Sequence, residues 1–458
     1  MKIVILGAGQ VGETLAENLV REDNDITLVD IDTGRLNELK LKLDIQTVQG
    51  SAAQPNILVK AGCESADMLI AVTNCDEVNM LACFISYNLF RTPSKVARIR
   101  SQDFLAHPEL FSEQRLPIDV CISPELLVTN QIKRLIEYPG TSQVLDFAEK
   151  KLQLVVVKPQ PGGLMVGKTL KQLYEHLANI PMKIAAVFRD NFSIALNDNT
   201  EIFIDDEILF LASPEAIQHT LIALGRFNYL NHRIIIGGGG HIGKRLTQAL
   251  EKNYKVKVIE HGLTRAEYLA TQLNKATILH GDIADRELLL NENVEFTDVF
   301  VAVTNDDEAN IMSCLQAKKL GVKYVMALIN RKAYVDLIED SSIDFAISPH
   351  LTTISSILTK LRKGDMVSVH SLRSGNAEAI EVVVHGDEQT SKIVGQLVDE
   401  IKLPPECSIA AVLRGSQVIL NMKDIYLQTE DHVIILVMNK RYIKQVEQLF
   451  QVHFDYFG

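Results

Sequence analysis

Short apolar runs rich in Val and Ile alternate along the chain with longer amphipathic stretches, and this alternation points to a fold class before any motif is considered. Strands are predicted at Ile3–Leu6, Ile26–Asp30, Ile45–Val48, Met68–Val72, Val96–Ile99 and Val120–Ile122, with Asp76–Phe90 as the clearest intervening helix. Strands and helices alternating in this way build a parallel sheet covered by helices. After Tyr138-Pro139-Gly140 the pattern changes. Leu152–Val157, Lys183–Phe188, Glu201–Ile204 and Glu207–Leu211 read as closely spaced strands, with helices near Thr169–His176 and Pro214–Leu224. They make a small α+β module of roughly 80 residues.

The whole pattern then repeats. Met1-Lys2-Ile3-Val4-Ile5-Leu6-Gly7-Ala8-Gly9-Gln10-Val11-Gly12 returns as His232-Arg233-Ile234-Ile235-Ile236-Gly237-Gly238-Gly239-Gly240-His241-Ile242-Gly243. Ala71-Val72-Thr73-Asn74-Cys75-Asp76-Glu77-Val78-Asn79 returns as Ala302-Val303-Thr304-Asn305-Asp306-Asp307-Glu308-Ala309-Asn310. Ile118-Asp119 through Ser123-Pro124 returns as Ile343-Asp344 through Ser348-Pro349, and Ile184–Arg189 is echoed by Ile409–Arg414. A fixed spacing of about half the chain marks an internal duplication. The predicted fold class is therefore α/β: two Rossmann-like, doubly wound parallel-sheet domains, each followed by a small α+β domain. The boundaries are 1–140, 141–228, 229–365 and 366–458.

Composition narrows the function classes. The chain has 458 residues with a net charge of −12 and no block of Lys/Arg, which argues against a nucleic-acid partner. Met1-Lys2 runs into an apolar stretch too short for a signal peptide, and no uncharged run is long enough to span a bilayer, so a chain outside the membrane is expected. The six cysteines form no CxxC, and no metal site is expected.

The duplicated glycine motif carries the chemistry. Gly7-x-Gly9-x-x-Gly12 follows a strand and opens a helix. Its first glycine allows the tight turn, its second lets backbone approach a pyrophosphate, and its third packs helix on strand. Phosphate then sits at the helix N-terminus, where free N–H groups favour anions. Asp30 ends the next strand, where a carboxylate takes ribose hydroxyls; the second copy has Gly238-x-Gly240-x-x-Gly243 with Glu260. Both acids favour NAD over NADP, whose 2′-phosphate they would repel.

Thr73-Asn74 and Thr304-Asn305 end the fourth strand of each copy, where ligands of open α/β sheets lie; a polar strand end with Asn capping the next helix explains them equally well. Arg98 and Arg100 close the fifth strand of the first copy and could reach phosphate or simply pair at the surface, whereas the second copy has Leu328 and Asn330. Gly162–Thr169 satisfies GxxxxGK[ST], but its duplicated counterpart, Val394-Gly395-Gln396-Leu397, lacks the Lys-Thr pair and no strand-ending Walker-B Asp follows. The match is read as coincidental. No G-x-S-x-G elbow, H-E-x-x-H or Tyr-x-x-x-Lys dyad is present, so no catalytic residue is assigned. An NAD-dependent oxidoreductase is the alternative reading, and it lacks a substrate domain of adequate size. A redox-sensing transcriptional regulator would need a basic helix-turn-helix, which this acidic chain does not offer.

The GAGQVG opening, the Asp30 terminus, the VTN-x-DE-x-N stretch, the ARIR strand and the IDxxISP crossover resemble the RCK/KTN domains of Trk-type potassium transport regulators. The doubled order over the whole chain resembles the tandem members of that family. The resemblance implies that 1–140 and 229–365 are RCK N-terminal (KTN) domains, and 141–228 and 366–458 RCK C-terminal domains. It implies NAD+/NADH, and also ATP/ADP, at the same sites. It further implies a ring-forming homo-oligomer, peripheral on the cytoplasmic face of the inner membrane, docked on an integral-membrane Trk subunit of the TrkH or TrkG type. Carried over residue by residue, the first site is Gly7, Ala8, Gly9, Gln10, Val11, Asp30, Thr73, Asn74 and Arg98. The second is Gly238, Gly239, Gly240, His241, Ile242, Glu260, Thr304 and Asn305. The resemblance also implies that the helices after Ser123-Pro124 and Ser348-Pro349 pair neighbouring N-terminal domains.

Overall fold

A computed structural model describes residues 1–20, 24–159, 162–190, 192–224, 233–338, 341–361, 366–372 and 377–451. The first sheet holds β1 (Lys2–Leu6), β2 (Asp25–Asp30), β3 (Gln46–Gln49), β4 (Met68–Ala71), β5 (Ser94–Arg98) and β6 (Val120–Ile122). These strands are parallel in the order β3-β2-β1-β4-β5-β6. Every residue of the central strand β4 is buried, as expected of a strand covered on both faces.

An antiparallel sheet follows, with β7 (Thr141–Phe147), β8 (Leu152–Val157), β9 (Met182–Arg189), β10 (Phe192–Ser193) and β11 (Glu207–Ala212) in the order β10-β9-β11-β8-β7. The second half repeats both sheets. Its parallel sheet holds β12 (Arg233–Gly237), β13 (Lys255–Glu260), β14 (Thr277–His280), β15 (Val299–Ala302), β16 (Tyr324–Leu328) and β17 (Phe345–Ile347), in the order β14-β13-β12-β15-β16-β17. Its antiparallel sheet holds β18 (Met366–Leu372), β19 (Ala377–Val383), β20 (Cys407–Arg414), β21 (Gln417–Ile419) and β22 (His432–Val437), in the order β18-β19-β22-β20-β21. Two doubly wound sheets, each followed by a small antiparallel module, are the fold class read from the sequence.

Two local expectations fail. Glu201–Ile204 is not a strand. Ile202 exchanges backbone hydrogen bonds with Gly167 and Lys168, which pins the segment to a turn, and only the isolated bridge Thr169–Glu201 forms. Conversely, Thr141–Phe147 forms the edge strand β7, although it opens on Thr141-Ser142-Gln143. The helix predicted over Asp76–Phe90 is α-helical to Ile85 and then widens into a π-turn over Ser86–Phe90, ending on Arg91 at φ 58°.

The helices that leave each parallel sheet are exchanged between the halves. Ser123 caps the helix Pro124–Glu137 by accepting from Leu126 N, and Pro124 occupies its first position, where a missing N–H costs nothing. This helix springs from β6, yet Val128, Ile132, Leu135 and Ile136 lie in the core of the second half with Ile234, Leu246 and Leu250. Ile354 and Ile357 of the helix Pro349–Leu361 reciprocate, packing among Ile5, Ile70, Val96 and Ile122 of the first half. The two antiparallel modules also share one core, joining Leu145, Phe147 and Leu154 to Ile380, Val382 and Leu436. Glu381 is buried in that junction and accepts from His432 Nδ1 at 2.6 Å, Ser368 Oγ at 2.8 Å and, from the first module, Ala148 N at 3.1 Å. A buried carboxylate satisfied from several sides holds its partners in one arrangement. Among the described residues no helix is long and apolar enough to cross a membrane.

Candidate nucleotide site

Strand register brings the site together. Leu6 pairs with Val29 on one side and Ala71 on the other, so the residues just beyond them (Gly7, Asp30 and Thr73) meet at the carboxyl edge of the first sheet. Gly237 pairs with Ile259 and Ala302, and assembles Gly238, Glu260 and Thr304 in the same way. Ligands of open α/β sheets bind at this edge.

The glycines of each loop divide into two kinds. Gly7 has φ +108°, and a Cβ there would lie 3.1 Å from the Thr73 backbone; Gly238, at φ +103°, is its match. A Cβ on Gly12 would lie 1.8 Å from the Gly7 carbonyl oxygen, and one on Gly243 would lie 1.9 Å from that of Gly238. The chain itself demands these glycines. The middle ones differ. A Cβ on Gly9 would find nothing nearer than Arg35 Nη1 at 4.0 Å, and one on Gly240 nothing within 4 Å. No protein neighbour requires glycine there, whereas close approach of a pyrophosphate does. Gln10 and His241 are the exposed first residues of the helices Gln10–Val20 and His241–Leu250; Val11 is buried and Ile242 half-buried behind them.

The two carboxylates hold the loops. Asp30 Oδ2 accepts from Ala8 N at 2.6 Å and Oδ1 from Asp32 N at 2.9 Å. Glu260 Oε2 accepts from Gly239 N at 2.7 Å and Oε1 from Gly262 N at 2.8 Å. An ionised carboxylate has about four lone-pair sites, so each acid keeps acceptor capacity for ribose hydroxyls.

At the end of β4 the hydroxyl of Thr73 is already committed, lying 2.7 Å from Asn79 Oδ1. Asn79 is fully buried and also donates to the carbonyl of Arg98, tying β4 to β5. Thr304, Asn310 and the carbonyl of Leu328 repeat this arrangement. Asn74 and Asn305 are exposed, and neither caps a helix; Cys75 and Asp306 occupy the N-cap positions. Asp76 accepts from the backbone N–H groups of Arg100 and Ser101, as Asp307 does from those of Asn330 and Arg331. Arg98 is half-buried and its Nε has no hydrogen-bond partner among the described residues. Burial, and next the charge of Arg100, holds its pKa below the usual guanidinium value. The matching Leu328 is buried.

Asn79, Asn310, Asp76 and Asp307 shape the site without having been singled out in the sequence, although all four lie in the duplicated stretch. Arg35 and Arg265 were also missed. Arg265 Nε donates to Gly239 O at 2.9 Å.

The P-loop look-alike is a structural turn. Thr169 caps the seven-residue helix Leu170–His176 in a reciprocal box with Gln172, and Lys168 is exposed. Lys168→Ala should therefore leave nucleotide affinity unchanged in a calorimetric titration. A tenfold loss of ATP binding would move the phosphate site to this loop.

Comparison with known proteins agrees with this geometry. The family model described as TrkA-N domain matches residues 3–124 and again 234–349. The chain is 50% identical over 457 residues to the Trk system potassium uptake protein TrkA of Halomonas elongata, covering 100% of both chains. It is 50% identical to that of Vibrio alginolyticus, covering 98% of this chain and 99% of the relative. Among solved structures, the GsuK RCK domain superposes with TM-score 0.61 at 17% identity, covering 98% of this chain and 94% of that one. The GsuK channel bound to NAD gives 0.60 at 17%, covering 98% and 78%. The fold is thus shared with RCK domains, and the chain belongs to the TrkA family of Trk-system potassium uptake proteins.

Proposed function

We propose that the chain is a nucleotide-binding regulatory subunit of a Trk-type potassium uptake system, built from four modules at 1–140, 141–228, 229–365 and 366–458. The observation that carries this reading is the pair of middle glycines, Gly9 and Gly240, which face open space beside a carboxylate that still has acceptor sites. NAD+ or NADH is the primary ligand, and ATP and ADP use the same loops. The relatives named as potassium uptake proteins support the transport role. A neighbour of the same fold described as bound to NAD supports the ligand class. The subunit carries out no chemistry of its own. It rests peripherally on the cytoplasmic face of the inner membrane as a homo-oligomeric ring and docks on a TrkH- or TrkG-type subunit. A ligand can shift such a regulator only through unequal affinity for its conformations.

Potassium flux through the reconstituted membrane subunit, measured with NAD+, NADH, ATP and ADP, tests the assignment; flux indifferent to every nucleotide would overturn it. Asp30→Ala tests the site. Charge-assisted hydrogen bonds contribute about 1.5–3 kcal/mol each, so NAD(H) binding at the first loop should weaken about tenfold or more in a two-site calorimetric titration. Unchanged affinity would remove Asp30 from the ribose.

A further inference from the structure

The open space over the middle glycine is bordered differently in the two loops. In the first copy the atom nearest to a Cβ built on Gly9 is Arg35 Nη1, at 4.0 Å. In the second copy nothing lies within 4 Å of a Cβ built on Gly240. The middle glycine is where backbone and pyrophosphate come closest. A guanidinium therefore stands beside the phosphate position of the first loop, and none lies as close to that of the second.

Local sequence explains the difference. Arg35 and Arg265 are each the third residue of the helix after the second strand, Thr33–Lys42 and Leu263–Gln272. Side chains of a first turn lean back toward the helix start, so both arginines reach toward their loop. Arg265 is caught there: its Nε donates to Gly239 O at 2.9 Å, and its Cζ lies 5.0 Å from the centre of the Tyr268 ring. Glu38 stands in the place of Tyr268 in the first copy and pairs with Lys42 at 2.6 Å, so no ring holds Arg35. The nearest acid, Asp32, keeps its Oδ2 4.0 Å from Arg35 Nε, while its Oδ1 caps the helix by accepting from Gly34 N and Arg35 N. Among the described residues the Arg35 guanidinium donates no hydrogen bond.

We propose that Arg35 caps the pyrophosphate of a nucleotide bound at the first loop, and that Arg265, latched to its own loop, has no such role at the second. The inference rests on the nucleotide-binding reading above and adds the residue that sets the two sites apart. A guanidinium presents two parallel donors to phosphate oxygens, a geometry suited to a bridging diphosphate. Asp30 holds Ala8 N, the residue before Gly9, so the ribose acceptor and the phosphate donor enclose one short stretch of loop. At the second loop the same contact would require Arg265 to release the Gly239 carbonyl and leave the Tyr268 ring.

Two-site calorimetry of the full-length chain with NADH and ADP, together with displacement of NADH by adenosine, tests this. Arg35→Ala should weaken NADH and ADP about tenfold or more at one class of site and leave the other class unchanged. The affected class should also lose much of its salt dependence, because an exposed cation is screened by added ions. Adenosine carries no phosphate, so its affinity should stay as in the parent. Arg265→Ala should change neither class by as much as about threefold. The Arg35 side chain is 60% exposed, and a melting curve matching the parent shows that the fold is kept. If Arg35→Ala binds NADH and ADP as the parent does, or loses adenosine to the same extent, the cap is overturned while nucleotide binding stands. An equal loss in Arg265→Ala would overturn the distinction between the loops. If the parent binds no nucleotide, the reading of the loops falls instead.

Discussion

Cut between residues 224 and 233, the chain should yield two halves that are each unstable alone and recover a native melt only when made together. Each half lends a helix to the other. Val128, Ile132, Leu135 and Ile136 are almost wholly buried in the core of the second half, and Ile354 and Ile357 in that of the first. Fully burying an aliphatic side chain stabilises by about 1.5–3 kcal/mol, so the four from the first helix match a large part of the about 5–15 kcal/mol that holds a domain together. Separation would also expose the core shared by the two antiparallel modules and leave Glu381 without the Ala148 N–H. The expected result is aggregation or self-pairing of each half, with a one-to-one complex on co-expression. Light scattering and thermal melting of the three samples decide it. A first half that runs as a monomer with a native-like melt would contradict the exchange.

That exchange also marks where sequence reading stops. Val128, Ile132 and Leu135 recur at helical spacing, and this spacing identifies an apolar face. It says nothing about whose core the face enters, because periodicity is a local property and the choice of partner is not. The resemblance to tandem RCK proteins implied that these helices pair neighbouring domains, and the packing supplies the residues. The parallel sheets were legible because their strands are buried on both faces and read as unbroken apolar runs, as Met68–Ala71 does. Strand β7 was not, because its polar residues are matched by partners that the local pattern does not show: the buried Thr141 donates its hydroxyl to Tyr138 O, and Asp146 pairs with Arg134 and accepts from Gln153.

The site divides along the same line. Glycines and acids at fixed spacing from a strand carry their geometry in the sequence. Asn79 does not, because its task is to join β4 to the carbonyl of Arg98, nineteen residues away. Arg35 and Arg265 were hidden by their setting, since an arginine in the first turns of a solvent-facing helix is ordinary. The signal was their equal spacing from Asp30 and Glu260, five residues in each copy.

Gly12→Val and Gly243→Val should each abolish one class of nucleotide site and leave the other intact. In each loop the third glycine lies against the carbonyl of the first, and the Cβ of any other residue would sit 1.8 or 1.9 Å from that oxygen. The obstacle is backbone, so no rotamer change relieves it. Either the helix moves off the strand or the loop opens, and both outcomes destroy the row of N–H groups that would face a pyrophosphate. Overpacking a well-filled core costs about 1–3 kcal/mol even where side chains can yield, and here they cannot. The damage should stay local, because Gly12 and Gly243 lie in the first turns of two helices, Gln10–Val20 and His241–Leu250, whose apolar faces enter distinct cores. A two-site titration should therefore lose one class beyond detection in each variant, and not the same class in both. Loss of both classes in either variant would mean that the two loops act as one site, and the duplicated architecture would then have to be read as a single ligand shared between halves.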